Sequence, residues 1–409
     1  MRMTRREALG MAAAALPVGR AVAQGERPIR LGILTDMSGP YRDIGGPLIE
    51  PCVRQAILDS GAAARGLVVD VLTADHQNKV DVGLSIVRQW FDLQNVDAVI
   101  DLGNSALALA VAPLARERDK VQLNTGAGLS DLTGRACTPN LVHWTFDTWQ
   151  MSHSVCDAMV ARGLDSWFFL VADYAFGHAT QRDSEGFVRA AGGQVLGSVR
   201  HPFPSTTDFS AFLLQAQASR AKVIGLANSG NDLVNCVKQA AEFGLTRRGA
   251  RLAALVTFIN DVHAIGLQHA QGLALSDTFY WDLDARTRAF TARVRPQMGG
   301  MVPTSVQAGA YSGVLHYLKV VQALGASRAQ ASGRAVVEAM KRLPTDDDAF
   351  GPGRIREDGR KLHPSHLFEV KAPAESQGPW DYYKPLAVTP LERAFRPMEQ
   401  GGCPLTSRT

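Results

Sequence analysis

Apolar and polar residues follow two alternating periods along most of this chain. Ile29 to Thr35 alternates and is β-rich, which predicts a strand. Ser38-Gly39-Pro40 breaks it, and Gly45-Gly46-Pro47 leads into an amphipathic helix over 48–60. Leu67 to Leu72 predicts the next strand. Asp81 is placed to cap a helix running to Leu93, with Val82, Ile86, Val87 and Trp90 on its apolar stripe. A strand over 96–102, a helix over 106–118 and a strand over 121–124 follow, the last ending in a Gly-rich loop. This β-α-β-α rhythm predicts an α/β class, with a parallel sheet covered by helices on both faces.

The rhythm then restarts. A helix over 149–162 precedes the strongly apolar strand Trp167 to Val171, then a helix over 178–191 and a strand over 194–199. Asp208 is a good N-cap for a helix through Ala218. Strand 223–226, a helix over 231–243 ending at Gly244, and strand 252–256 complete the second unit. Two successive units of similar size predict two lobes of one architecture. The last third differs, with helices over 284–297 and 305–324, and a turn whose acids Asp346, Asp347 and Asp348 read as a solvated loop. From 353 the pattern turns β-like, with a hairpin connection over 358–366.

Composition narrows the class further. The 409 residues are 46% hydrophobic and 20% charged, which argues against a mostly disordered chain. The length exceeds what one hydrophobic core usually serves, in agreement with two lobes. Residues 1–23 carry a basic start, an apolar run from Ala8 to Val18 and a small-residue cleavage site ending at Ala23. That order predicts a secretory signal, and Thr4-Arg5-Arg6 suggests the twin-arginine type, with the Sec route left open. The run is too short to span a bilayer, so the mature protein is expected to be soluble and periplasmic. Arg2, Arg5, Arg6 and Arg20 against Glu7 place three of the four units of formal net charge (+4) in that leader. The mature chain is then close to neutral, and nothing calls for a nucleic-acid partner.

Five cysteines leave at least one thiol free in an oxidising compartment. Cys52, Cys156 and Cys236 fall in helical patterns, where cysteine is usually a small buried hydrophobe. Cys137 and Cys403 sit in loop-like surroundings and are the pair to watch for a bridge that would pin the C-terminal tail.

No catalytic motif is present: no GxSxG, HExxH or GxxxxGK[ST]. His363 and His366 lack a third ligand and read as surface histidines, so no metal is expected. Gly126-Ala127-Gly128 lacks the rest of a dinucleotide fingerprint, so no cofactor is expected either. What remains is backbone. Strand-to-helix turns at the carboxyl ends of a parallel sheet are where α/β proteins bind ligands. In the first unit these are 36–46, Gly103-Asn104-Ser105 and 125–128, of which the latter two can offer N–H groups and a hydroxyl to an anion. In the second they are 173–177, Asn228-Ser229-Gly230 and 257–261, with aromatic and amide groups. Asp101 reads as a strand-end residue rather than a contact. The combination predicts a cleft for a small organic acid.

At these turns the chain resembles a known family. Thr35-Asp36-Met37-Ser38-Gly39-Pro40-Tyr41, Ala172-Asp173-Tyr174-Ala175-Phe176-Gly177 and Asp208-Phe209-Ser210 look like the corresponding segments of type I periplasmic solute-binding proteins. The branch is that of the leucine/isoleucine/valine receptors of ABC importers. The resemblance covers roughly residues 28–400. It implies two Rossmann-like lobes with parallel sheets, joined by three crossovers, that close on a ligand and then dock on a membrane permease. Residues 28–146 and 280–350 would form one lobe, 147–279 and 351–395 the other, and 396–409 a tail.

Carried over by position, Ser105 matches a hydroxyl that binds the ligand carboxylate, with Asn104 beside it. Ala127 and Gly128 match backbone donors. Tyr41 matches an aromatic that packs on the ligand. Phe176 stands where the family often has Tyr, and Tyr174 can supply that hydroxyl. On the far side, Asn228 falls in a matching turn. Asp261 lies near the acid that holds an amino acid's ammonium group, with Asn260 or Thr257 as alternatives. The family often has Thr where Gly128 stands, which leaves room for a bulkier or flatter ligand. The expectation is a monomeric, non-enzymatic receptor for an amino acid or aromatic acid. The alternative is a sensing protein on the same fold.

Overall fold

The computed structural model describes residues 27–406, so the expected leader lies outside the described residues. Strands β1 (Ile29–Thr35), β2 (Val69–Asp75), β3 (Ala98–Asp101), β4 (Val121–Asn124) and β5 (Leu141–His143) form the first sheet, in order β2-β1-β3-β4-β5 and parallel throughout. The helices α1 (Ile49–Asp59), α2 (Val80–Asp92) and α3 (Ser105–Glu117) link its strands. Lys79 stands at the N-cap of α2, and Asp81 lies inside its first turn, where a carboxylate still favours the helix dipole.

The second sheet draws on β6 (Ser166–Ala172), β7 (Gln194–His201), β8 (Val223–Ala227), β9 (Arg251–Ala254) and β10 (Ala274–Asp277). Its helices are α4 (Thr148–Ala161), α5 (Ala175–Ala190), α6 (Ser210–Ala218), α7 (Asn231–Glu242), α8 (Ile259–Ile265) and α9 (Leu267–Ala270). Asp208 sits one residue before the N-cap of α6, which is Phe209, and its Oδ1 accepts the Ser210 N–H at 2.9 Å.

The chain then returns to the first lobe as α10 (Ala285–Val294), α11 (Ser305–Leu324), α12 (Ala326–Ala331) and α13 (Gly333–Arg342). Helix α11 packs on α1 and is buried on every side from Ser305 to Leu318, opening to solvent only near its C-terminus. The acidic turn is not simply solvated. Asp347 is buried and accepts the Ala349 and Phe350 N–H groups (2.9 and 3.0 Å) and the Ser312 hydroxyl (2.6 Å). Asp346 and Asp348 pair with Arg286, and Asp348 also with Arg293.

A short hairpin, β11 (Arg354–Ile355) and β12 (Lys361–Leu362), stays with the first lobe. The His143 N–H donates to the Gly359 carbonyl at 2.9 Å, and His143 bridges in parallel to Arg360. The second lobe's share therefore resumes at β13 (Ser365–Val370), later than residue 351. β13 and β14 (Tyr383–Thr389) extend the second sheet to the order β14-β13-β10-β9-β8-β6-β7. Both join antiparallel, so this sheet is mixed where the sequence pointed to a parallel one. His363 is fully buried and His366 partly so; neither is a surface histidine. A last turn of helix, α14 (Leu391–Ala394), leads into the tail. There Cys403 is bonded to Cys137 of the first lobe, while Cys52, Cys156 and Cys236 are free and buried. The chain leaves the first sheet after β5 (Leu141–His143), leaves β10 (Ala274–Asp277) of the second for the helices that pack on the first, and rejoins the second at β13 (Ser365–Val370). No described helix is long and apolar enough to cross a membrane.

Candidate functional site

The carboxyl ends of β1, β3 and β4 face those of β6, β8 and β9 across a cleft enclosing about 410 Å³, part of it open to solvent.

The loop after β1 is shaped by one carboxylate. Asp36 accepts the N–H groups of Gly39 (2.6 Å) and Tyr41 (3.0 Å), which folds the turn and sets Tyr41 in the cleft wall. At the end of β3, Asp101 and Leu102 both have left-handed φ values (79° and 59°), uncommon for residues other than glycine. This carries the Asp101 carboxyl into the cleft, where it is 1% exposed. Burial pushes its pKa up to about 7, against the pull of the Thr35 and Thr125 hydroxyls beside it.

Ser105 lines the cleft from the first position of α3. Asn104 does not. It is the helix N-cap, its Oδ1 accepting the Ala106 and Leu107 N–H groups (2.9 and 3.0 Å) and its Nδ2 donating to Asn78 (2.7 Å). In the loop after β4, Gly126 and Gly128 line the cleft and Ala127 between them does not. The Gly126 N–H is committed to the Asp101 carbonyl (3.0 Å), and the Ala127 carbonyl accepts from Asn124 (2.7 Å).

Across the cleft, Tyr174 and Phe176 line it from the start of α5. The Tyr41 and Tyr174 hydroxyls hydrogen-bond to each other, and Phe203 stacks on Tyr174 with centroids 4.3 Å apart. Burial raises both phenol pKa values, so the pair is neutral in any ordinary buffer. Ser229 faces the cleft where Asn228 was expected; Asn228 is buried behind it. Asp261 is also outside the cleft. Its Oδ2 accepts the Phe258 N–H (2.9 Å) at the start of α8, and it borders a smaller cavity with Pro40, Asp43 and Asn260. Burial pushes its pKa up to about 7. Thr257 is buried and Asn260 faces that smaller cavity, so neither replaces it in the cleft.

The structure thus brings Tyr41, Ser105, Gly128, Tyr174 and Phe176 to one cleft, and not Asn104, Ala127, Asn228 or Asp261. Sequence reasoning placed Asp36, Ser229 and Phe258 in the binding turns without singling them out, missed Phe146, and set Asp101 aside as a strand end. Asp101 had a signal, an acid closing a run of apolar strand residues at the ligand end of the sheet. Phe146 had none, because it comes from the first crossover and reaches the cleft only through the fold.

A family model described as periplasmic binding protein matches residues 28–378. This chain belongs to that family. A periplasmic binding protein from Burkholderia mallei is 44% identical, with a TM-score of 0.88 over 93% of this chain and 99% of its own. A branched chain amino acid ABC transporter periplasmic ligand-binding protein from Burkholderia xenovorans LB400 is 37% identical, with a TM-score of 0.81 over 92% and 99%. A solute-binding protein of an ABC transporter from R. palustris, solved in complex with 4-hydroxybenzoate, shares the fold at 22% identity, with a TM-score of 0.80 over 90% and 98%. The two lobes of this periplasmic binding protein and the cleft between them follow that fold. Among the described residues no group of three or more His, Cys, Asp or Glu side chains is arranged to hold a metal ion.

Proposed function

We propose that this protein is the receptor of an ABC importer. It captures a small carboxylate-bearing ligand, an amino acid or an aromatic acid, by hinge closure and delivers it to a membrane permease. Export through a leader over residues 1–23 would place it in the periplasm, where such a receptor works. The observation that carries the reading is the chemistry of the cleft walls. One wall offers the Ser105 hydroxyl at a helix start and the Gly128 backbone. The other offers Tyr174, Phe176 and Phe258, and the Tyr41–Tyr174 bond joins the two lobes over the space. A polar end and an aromatic body are what such a site sorts for. Tyr41, Ser105, Gly128, Tyr174 and Phe176 are the residues assigned to the ligand.

Thermal unfolding with a panel of amino acids and aromatic acids tests this. A ligand at a hundred times its Kd adds about 2.7 kcal/mol to stability, a rise of several degrees. A panel in which no carboxylate raises the Tm would overturn the proposal.

A further inference from the structure

We propose that the C-terminal tail belongs to the binding apparatus: Arg396 and the Cys137–Cys403 bond are positioning groups that hold the loop 126–137 and, through it, the spacing of the two cleft walls. This rests on the reading of the cleft as a carboxylate site and adds what fixes its geometry.

The loop runs from the ligand space to the disulfide. Gly126 and Gly128 line the cleft at its start, and Cys137 closes its other end. Between them, Ser130 and Asp131 reach the second lobe. The Ser130 hydroxyl donates to Asp183 of α5 (2.8 Å), and Arg182 of α5 donates to Asp131 (3.2 Å) and to the Ser130 hydroxyl (3.0 Å). Thr148, the first residue of α4, joins the same junction. Its N–H donates to the Gly128 carbonyl (2.7 Å) and its hydroxyl to Asp183 (2.6 Å). Tyr174 and Phe176, on the opposite wall, stand at the start of α5, about two turns before Asp183. One helix thus carries both the aromatic wall and the bonds to the loop of the glycine wall, so the position of Ser130 governs how far apart the walls stand.

The tail governs where Ser130 sits. After β14 the chain leaves the second sheet, and by Ala394 and Phe395 it packs against Leu362 of the hairpin β11–β12. The Arg356 guanidinium donates to the Arg396 carbonyl there (2.8 Å). The Arg396 guanidinium in turn donates to the Ser130 carbonyl (2.8 Å). It also lies against Gly134, where a Cβ would come within 2.4 Å of it and 2.6 Å of the Gly401 carbonyl oxygen. The disulfide ties the same stretch of tail to the end of the loop. The Gly134 and Ala136 N–H groups both donate to the Asp131 carbonyl (2.9 and 3.0 Å), which makes 131–137 one compact turn, so a hold at Cys137 is felt at Asp131 and Ser130. Groups ordered before the ligand arrives leave less ordering to the binding step, and affinity gains by that amount.

Hydrogen exchange and titration calorimetry on the mature chain test this together. The variants are Arg396→Met, which keeps the stem and removes the donors, Arg396→Lys, which keeps a charged donor, and Cys137→Ser/Cys403→Ser. Wild type reduced with a phosphine repeats the last comparison without a substitution, should that variant not fold. The probes are L-leucine, L-phenylalanine and benzoate. In Arg396→Met and the serine variant, the amides of 126–134 and of 174–184 should exchange about 10-fold faster or more. The probe that binds wild type should bind about 5- to 20-fold more weakly, and Arg396→Lys should restore most of both effects. Asp183→Asn breaks the junction from the second lobe, and with Arg396→Met it should weaken binding little beyond the larger single effect. Faster exchange confined to the loop, with α5 and the affinity unchanged, overturns the proposal and leaves the tail a staple of the fold. Additive losses in the combined variant overturn it too, since the tail would then act by another route. No heat from any probe with wild type overturns the carboxylate reading. Exchange at 174–184 then decides the role of the tail by itself, faster exchange upholding it and unchanged exchange overturning it.

Discussion

At Gly128 the absence of a side chain has a definite occupant. A Cβ there would lie 2.4 Å from the ring of Phe146, which packs edge-on against Phe258 with centroids 5.0 Å apart. The space vacated relative to the family's usual Thr is filled by the protein's own ring, so the expectation of extra room for the ligand does not hold at this point. Gly128→Ala should force the ring aside and destabilise the protein by about 1–3 kcal/mol. Phe146→Ala alone should cost about 3–5 kcal/mol for the lost burial. Because the two changes act on one space, the double variant should be more stable than the two separate losses predict, by about 1 kcal/mol or more. Urea unfolding of the three variants measures this, and strict additivity would show that the contact carries no strain. The same pair illustrates what sequence conveys about single residues. Turn positions at strand ends were legible from the order of elements, hence Tyr41, Ser105, Tyr174 and Phe176 in the cleft wall. Which way a turn residue faces was not. Asn104 and Asp261 are good helix-start residues, and that local role removes them from the cleft.

Among the elements, the hairpin β11–β12 and the strand after it are where pattern and structure part most. Arg360, Lys361 and His363 are all fully buried there. Arg360 pairs with Asp147 (3.4 Å), donates to the Thr145 carbonyl and lies 4.3 Å over the Phe395 ring. The Lys361 Nζ stands 4.6 Å over the Phe350 ring and 5.6 Å from that of Trp144. These partners belong to the first crossover, the acidic turn and the tail, so no local window of sequence shows them, and charged residues read as exposed by default. The strand–helix alternation over 29–256 was legible because each element carries its own period. The antiparallel ends of the second sheet were not, since strand direction is set by partners distant in sequence. Lys361 gives this a measurable form. Burial lowers its pKa from the ordinary lysine value to about 7, against the nearby Asp347. Below about pH 7 both folded and unfolded chains hold the proton, and the cost of burying the charge is complete. Between pH 7 and 10 the unfolded chain binds more protons, so stability rises with pH as that cost is relieved. Lys361→Met should therefore stabilise the protein at pH 6 by roughly 1–4 kcal/mol, with a smaller gain at pH 9. Asp347 keeps its three donors in the variant. Chemical denaturation at the two pH values checks this, and an equal gain at both would refute the titration of Lys361.

For the molecule as a whole, the question is what holds the lobes together. The contacts across the cleft are both apolar and polar: Tyr41 stacks on Phe203 with centroids 5.6 Å apart, and Phe176, Val256 and Phe258 pack in one cluster with first-lobe residues. The polar ones include the Tyr41–Tyr174 hydroxyl pair, the Asn231 N–H to the Pro40 carbonyl (3.4 Å), Ser130 to Asp183 (2.8 Å), and Arg182 to Asp131 (3.2 Å) and Ser130 (3.0 Å). The disulfide between Cys137 and Cys403 and the bond from Arg396 to the Ser130 carbonyl (2.8 Å) tie the tail, which leaves from the second lobe, back to the first. A joint of this kind lets the lobes part while the crossovers hold, and a ligand that touches both walls shifts the balance toward closure. The tyrosine pair lines the ligand space, with Tyr41 buried and Tyr174 half-buried, so the Tyr41 hydroxyl depends on its partner. Tyr174→Phe keeps the ring that stacks on Phe203 but leaves the Tyr41 hydroxyl without its partner. That should cost the closed form about 1–3 kcal/mol, the desolvation of one orphaned group. Removing both hydroxyls in Tyr41→Phe/Tyr174→Phe leaves no orphan and should cost less than the single change. Small-angle scattering would then rank the ligand-free radius of gyration as wild type smallest, double variant next and Tyr174→Phe largest. Ligand affinity should fall in the same order, because each ligand must first supply the closing energy the variant has lost. If all three proteins scatter and bind alike, the tyrosines belong to the wall of the cleft and closure is governed by the outer pairs at Ser130 and Arg182.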